Sequence, residues 1–124
     1  MSGEDLTSFT KLIAWQTSHK LVLAVFEVCE KLPRNDVLRN QIERSALSIT
    51  SNISEGFGRQ SIADKKHFYI IARGSAFELQ NQLLVARDTK RLSATKFNSL
   101  AKLSVDSLRL LHGLIRSTNK NASS

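Results

Sequence analysis

Residues 41–78, QIERSALSITSNISEGFGRQSIADKKHFYIIARGSAFE, contain two helical patterns joined by a short turn with two glycines. At helical spacing, one side of the first pattern is polar. Ser and Asn are unusual on a solvated helix face, because their side chains compete for backbone hydrogen bonds whereas Lys, Glu and Gln do not. We therefore predict that this side makes specific contacts. Its members are Gln41, Arg44, Ser48, Asn52 and Glu55.

The turn between the two patterns carries Gly56 and Gly58. We predict that these glycines end the helix, because glycine readily adopts the positive φ of a helix C-terminus. Ser61 is the predicted cap of the next helix, with Asp64 three residues later in a weak capping box. Apolar spacing predicts that this helix continues to about Thr89.

Two further helices flank this stretch. Apolar steps of three and four predict a first helix over residues 9–33, which ends because proline cannot continue it. Asn35 or Asp36 is the predicted N-terminal cap of the second helix. Ser93 or Thr95 is the predicted N-terminal cap of the fourth helix. The predicted inward row of the first helix is Leu12, Trp15, His19, Val22, Phe26 and Cys29.

Four amphipathic helices with short connections predict an all-α fold, an antiparallel up-and-down four-helix bundle. The chain has 124 residues, the length of one domain. We place the bundle at residues 9–116. A flexible N-terminal arm is predicted at 1–8 and a flexible C-terminal tail at 117–124, because neither segment is periodic.

The chain is basic, with 18 Lys and Arg against 11 Asp and Glu and a formal net charge of +7. This balance favours a polyanionic partner such as nucleic acid or an anionic membrane surface. No apolar run reaches the roughly 18 residues that a membrane span needs, and the polar start is not that of a signal peptide. We therefore expect a cytoplasmic protein with no membrane partner.

Residues for metal or covalent chemistry are sparse. His19, His67 and His112 have no Cys, Asp or Glu at metal-ligand spacing, and the single cysteine, Cys29, lies among apolar residues as a buried hydrophobe would. Gly56 and Gly58 precede Arg59, but they are not followed by the Lys-Ser/Thr pair of a phosphate-binding loop. We expect no metal, no cofactor and no catalytic residue, and hence no enzyme.

The polar side of the second helix has a counterpart on the third, where Gly74, Ser75 and Glu78 replace ordinary helix formers. A mid-helix glycine costs about 1 kcal/mol relative to alanine, which is tolerated where another backbone comes close. We predict that the amide and carboxylate of the second helix meet Ser75 and Glu78. Arg44 or Arg59 would neutralise the acids.

Three interpretations of these residues stay open. They can form a buried network that fixes helix register or a subunit interface, they can bind a ligand or nucleic acid, or two of their carboxylates can act as an acid and base. The third interpretation lacks a nucleophile or an electrophilic partner. The residues concerned are Gln41, Arg44, Ser48, Asn52, Glu55, Gly56, Gly74, Ser75 and Glu78.

Basic residues recur at heptad spacing on the last two helices. Lys66, Arg73 and Arg87 form one row, and the second row is Lys102, Arg109 and Arg116. Gln80 fills the gap between Arg73 and Arg87, and Lys120 extends the second row. Each heptad step is about 10 Å along a nearly straight line, which can follow phosphates or can be an ordinary solvated face. In a symmetric oligomer each row would be repeated in every subunit, and the repeats together would form a large positive surface.

The sequence resembles the bacterial four-helix-bundle family encoded in intervening sequences of 23S ribosomal RNA genes, over about residues 12–115. The resemblance implies a left-handed up-and-down bundle that assembles as a homopentameric barrel, in a family whose biochemical role is largely unassigned. It also implies a more distant likeness to accessory variability proteins of diversity-generating retroelements, which bind nucleic acid and a reverse transcriptase. Ser54 departs mildly from the family pattern, where alanine is common. The motifs that carry the resemblance are LP at 32–33, LRNQIER at 38–44, SNISEGFGR at 51–59 and ARGSAFEL at 72–79.

We therefore expect a non-enzymatic homo-oligomer that binds structured RNA or DNA through phosphates. The alternative is an oligomeric scaffold or adaptor that holds a polymerase-type protein partner and whose charge serves solubility. Salt dependence separates the two, because phosphate contacts weaken steeply with salt. The predicted nucleic-acid contacts are Arg59, Lys65, Lys66, Arg73, Arg109 and Arg116.

Overall fold

The computed structural model describes residues 8–123 of the chain, and within them all regular structure is helical. The long helices are bounded by turns of only a few residues. The elements are a 3-10 turn at Ser8–Lys11, α1 at Ile13–Cys29, α2 at Val37–Phe57, α3 at Ile62–Asp88 and α4 at Ala94–Ser123.

Each long helix packs against its neighbours in the chain, and α1 closes the bundle by packing against α4. Within the described residues, no Cα atoms of the diagonal pairs, α1 with α3 and α2 with α4, lie within 8 Å of each other. The helices therefore occupy the four corners of a square and bury their apolar stripes at its centre. This arrangement confirms the predicted four-helix bundle.

The predicted caps lie where the helices begin. The carboxylate of Asp36 accepts hydrogen bonds from the backbone N–H groups of Leu38 (2.9 Å) and Arg39 (3.3 Å). The Ser61 hydroxyl accepts from the N–H of Asp64 at 3.1 Å. At the start of α4, the Ser93 hydroxyl accepts from the N–H of Lys96 at 3.2 Å. Each cap satisfies N–H groups that have no partner inside the helix.

Asp36 also joins two connections of the bundle, because Arg91 donates to its other carboxylate oxygen at 2.8 Å. This hydrogen bond, with those from the α2 backbone, holds the pKa of Asp36 below its usual range. A carboxyl group whose pKa is lower in the folded than in the unfolded state stabilises the fold above the unfolded pKa of about 4. That contribution disappears as the pH falls through the folded pKa.

We expect Asp36→Asn to keep an acceptor for the α2 N–H groups and to lose the charge that Arg91 binds. Its deficit in unfolding free energy relative to wild type should be largest at pH 7 and shrink below about pH 4. Asp36→Ala should lose a further 1 kcal/mol or so, because the cap itself is absent. Urea unfolding at several pH values measures both, and a deficit independent of pH would contradict the role of the charge.

The first helix is shorter than predicted. The chain makes a 3-10 turn before α1, in which the N–H of Leu12 donates to the carbonyl of Phe9 at 3.0 Å, and Leu12 itself is extended. At the other end, the N–H of Leu32 donates to the carbonyl of Cys29 at 2.9 Å in a turn, so the helix ends before the proline restricts it. The prediction of a continuous helix over residues 9–33 is therefore wrong at both ends.

The last helix is longer than predicted. Its backbone is helical through Ser123, beyond the predicted end of the bundle at residue 116. Thr118 is buried, and its hydroxyl donates to the carbonyl of Leu114 at 2.8 Å. The bundle therefore includes the first turn of the predicted tail, whose flexibility stays a prediction. Of the predicted arm at 1–8, only Ser8 lies within the described residues.

The glycines at the α2–α3 turn have a different role from the predicted one. No glycine in residues 8–123 has a positive φ, and Gly58 at the end of α2 has φ −77°. Gly56 is instead buried against α3, where an added Cβ would lie 2.7 Å from Cε1 of Tyr69 and 3.0 Å from Cβ of Phe68. The sequence needs glycine here because two helices approach closely.

The core draws on all four helices and contains the single cysteine. Cys29 is buried, and its burial raises the pKa of the thiol to about 11, as expected for the predicted small hydrophobe. The largest apolar side chains with almost no exposure are Leu21, Val25, Ile42, Ile49, Ile53, Leu79, Leu83, Leu100 and Leu111.

Candidate functional site

The predicted polar contact between α2 and α3 exists and centres on two serines. The hydroxyls of Ser48 and Ser75 lie 2.8 Å apart. The amide of Asn52 donates to the carbonyl of Ser48 at 2.8 Å and to its hydroxyl at 3.0 Å. Asn52 therefore reaches Ser75 through Ser48, one turn earlier on its own helix.

Glu78 has different partners from those predicted. Its Oε1 accepts from the hydroxyl of Ser45 at 3.1 Å and from the amide of Gln82 at 3.1 Å. Asn52 donates to Ser48 instead, and Arg44 forms no ion pair with Glu78, so that part of the prediction is wrong. Gln82 is almost fully buried, and its own oxygen is the one buried side-chain acceptor in the described residues without a partner.

The carboxylates of Glu55 and Glu78 share no hydrogen-bond partner. Glu55 pairs with Arg59 one turn later at 2.6 Å on an exposed part of α2, whereas Glu78 binds the two polar residues beside the core. This arrangement ties helices together and offers no shared proton between the acids. Among the three interpretations, the geometry favours a network that sets the register of α2 against α3.

Three further residues of the predicted network lie at its margins. Gln41 lines an open cavity of about 500 Å³ with Val85 and the Asp36–Arg91 pair. Arg44 is exposed. An added Cβ on Gly74 would meet no atom within 4 Å, so the prediction that another backbone lies close to it is wrong within the single chain.

The basic row of α3 follows the seam between α3 and α4. At the position between two of its cations, the amide of Gln80 donates to the hydroxyl of Ser104 on α4 at 3.4 Å. The guanidinium of Arg87 lies over the ring of Phe97, 4.8 Å from its centroid. These two contacts fix the side of α3 on which Gln80 and Arg87 lie. Heptad spacing puts Arg73 and Lys66 on the same side, toward the start of α3.

Cations at this end of the α3–α4 face have few acidic partners. Lys66, Arg73 and Arg116 form no ion pair within the described part of the chain. Arg109 approaches Asp106 only at 3.5 Å, and its side chain is 67% exposed. At the other end of the bundle three arginines are occupied, in the pairs Arg39–Glu43, Arg87–Asp88 and Arg91–Asp36.

Two of the predicted nucleic-acid contacts serve the fold instead. The ammonium of Lys65 donates to the carbonyl of Phe57 at 2.7 Å and thereby satisfies the C-terminus of α2. The guanidinium of Arg59 is held by its ion pair and by the ring of Phe68, 4.7 Å away. Lys65 is therefore removed from the candidate phosphate contacts, and Arg59 lies at their edge.

The sequence analysis missed Ser45 and Gln82, which hold Glu78 in place. Ser45 is a polar residue at a position where the α2 pattern expects an apolar one, and Gln82 lies one turn after Glu78. Both positions could therefore have been recognised in the sequence. Within residues 8–123, no group of His, Cys, Asp and Glu could hold a metal ion. Over the same residues, no helix is both long and apolar enough to cross a membrane.

Comparison with known proteins agrees with the fold. The model of one family, described as 23S rRNA-intervening sequence protein, matches residues 10–113. The chain is also similar to a crystal structure from Bacteroides thetaiotaomicron, described as a protein of unknown function from the S23 ribosomal protein family. The TM-score is 0.78 at 24% identity, over 83% of this chain and 98% of that chain, and the likeness concerns the fold alone. No curated protein matches the sequence.

Proposed function

The chain belongs to the 23S rRNA-intervening sequence protein family, and from that premise we propose that it is a non-enzymatic homo-oligomer that binds structured RNA or DNA through phosphates. The observation that supports the proposal most is the set of unpaired cations on the α3–α4 face. The pentameric state, the cytoplasmic location and the likeness to retroelement accessory proteins stay predictions of the resemblance and the composition. The contacts proposed are Lys66, Arg73, Arg109 and Arg116, with Arg59 at the edge.

The chemistry of this face suits phosphate better than base edges. Arg109 and Arg116 stand two helical turns apart on α4, about 10 Å along its axis. Cations at such intervals neutralise successive phosphates and release counterions, which gives affinity without sequence readout. No cluster of exposed aromatic rings accompanies the described cations, so stacking on single-stranded bases has little support.

A second candidate, the protein-interaction scaffold, is favoured by one feature of the same face. A shallow apolar groove of about 180 Å³ lies between α3 and α4, and a protein partner such as a polymerase would use it instead of phosphate contacts. Its binding would depend little on salt. The groove is lined by Gln80, Leu83, Leu84, Phe97, Ala101, Ser104 and Val105.

Reversal of charge on α4 tests the proposal. We expect Arg109→Glu with Arg116→Glu to lower the affinity for a labelled RNA hairpin at least tenfold, because two phosphate contacts become repulsive. The matched control is Arg34→Glu with Lys90→Glu, which changes the net charge equally at the other end of the bundle. Equal losses in both double variants would show general attraction to a basic protein and would contradict a site on this face.

A further inference from the structure

Two contacts fix how α3 and α4 lie against each other along their length. Gln80 meets Ser104, and Arg87, seven residues further along α3, meets Phe97, seven residues earlier on α4. The two helices are therefore antiparallel. Each heptad step toward the start of α3 corresponds to a heptad step toward the end of α4.

This register brings cations of the two helices to the same level. One heptad step from the Gln80 contact puts Arg73 within two residues of the level of Arg109, about 3 Å along the axis. A second heptad step puts Lys66 in the same relation to Arg116. The axes of packed helices lie about 8–10 Å apart, and the two levels are about 10 Å apart. These four residues therefore form a two-by-two arrangement, which we call the cation array.

The cation array continues the two edges of the groove between α3 and α4. Gln80 on one edge and Val105 on the other line that groove. Arg73 stands one heptad before Gln80, and Arg109 stands one turn after Val105. Because Val105 is 57% exposed, this side of the seam between the helices is open to a ligand.

The cation array carries four positive charges with little to balance them. Lys66 and Arg73 are partly buried and, like Arg116, have no ion pair within residues 8–123. Asp106 approaches only Arg109, at 3.5 Å. Cations held on two packed helices attract most strongly an anion whose charges are spaced to match.

We propose that the cation array binds a nucleic-acid duplex through the phosphates of both strands, with the α3 cations on one strand and the α4 cations on the other, across a single groove. This inference rests on the proposed function and adds the form of nucleic acid that the site takes. The two levels of the array span about three nucleotides of each strand, at 3.4 Å per nucleotide.

A duplex suits the cation array because it holds two lines of phosphates at a fixed separation. The major groove of B-form DNA is about 12 Å wide, and the minor groove of A-form RNA is wide and shallow. Cationic side chains on axes 8–10 Å apart can reach both edges of such a groove. A single strand has one line of phosphates, so it would meet the cations of one helix at a time.

Affinities for three labelled probes with equal numbers of phosphates test this inference. The probes are an RNA duplex, a DNA duplex and a single-stranded RNA that cannot pair with itself. The protein should bind at least one duplex at least tenfold more tightly than the single strand, because four phosphate contacts replace two. The tighter duplex identifies the groove. A single strand bound as tightly as both duplexes would overturn the inference and leave the proposed function intact, whereas no binding of any probe would contradict both.

Neutralisation of one cation on each helix tests whether both strands are held. Arg73→Gln and Arg109→Gln should each weaken duplex binding roughly threefold to tenfold and lower the salt slope by about 1. Each should change single-strand binding by less than about twofold, because the strand can use the other helix. Arg34→Gln, at the other end of the bundle, is the matched control and should change duplex binding by less than about twofold.

Circular dichroism melts establish that each variant is folded. Lys66→Gln and Arg116→Gln provide a second pair, one cation on each helix, if either of the first two variants unfolds. A loss of duplex affinity confined to the variants of one helix would overturn the contact with both strands.

Discussion

Gly56→Ala should lower the free energy of unfolding by about 1–3 kcal/mol, the usual cost of an added methyl group in a filled core. The new Cβ would lie 2.7 Å and 3.0 Å from two carbons of the Tyr69 ring and 3.0 Å from Cβ of Phe68. Tyr69 is itself buried, so its ring has little room to move. Relief would require α2 to separate from α3 near their connecting turn.

Gly113→Ala is the matched control for this substitution. Gly113 is also helical, and its added Cβ would meet only the end of the Arg116 side chain at 3.8 Å, an ordinary contact. We expect it to raise the free energy of unfolding by roughly 0.5–1 kcal/mol, since alanine is the better helix former. Chemical unfolding measures the free energy of unfolding of both variants. A Gly56→Ala variant as stable as the wild type would contradict the close approach of α2 and α3 at this residue.

Ser107→Ala should destabilise the bundle by about 2 kcal/mol, because it leaves a buried hydroxyl without its partner. The hydroxyls of Ser18 on α1 and Ser107 on α4 lie 2.7 Å apart, and both residues are fully buried. This bond crosses the one pair of adjacent helices that no short connection joins. It therefore holds α1 against α4 in a particular register.

The double variant Ser18→Ala with Ser107→Ala should lose less than the sum of the two single variants, since neither hydroxyl then remains unsatisfied. Ser99→Ala, at an exposed position of α4, should change stability by less than about 0.5 kcal/mol. Additive losses in the double variant would mean that the two serines act separately.

Local features of the sequence were enough to predict most of the architecture. Asp36, Ser61 and Ser93 cap helices because a short polar side chain reaches the free N–H groups of the next turn, and that geometry depends on neighbours in the chain. The role of Gly56 depends on Tyr69, thirteen residues away on another helix. Periodicity identified the glycine but gave a wrong reason for it.

The candidate site was harder to predict for the same reason. Lys65 looked like a free cation in the sequence, but its ammonium binds the end of α2, eight residues earlier. Phe26 fits the inward row of α1 by spacing, yet it is 38% exposed, because α1 buries Leu21 and Val25 instead. Spacing identifies the apolar stripe of a helix, but the packing of the neighbouring helices decides which residues of that stripe are buried.

The most direct test of nucleic-acid binding is the affinity of the wild-type protein for a labelled RNA hairpin across a series of salt concentrations, with the mass of the protein determined in each buffer. The proposal predicts a straight log-log plot whose slope corresponds to several phosphates per assembly, at constant mass. Absent binding, or an affinity that does not change with salt while the assembly stays intact, would contradict it.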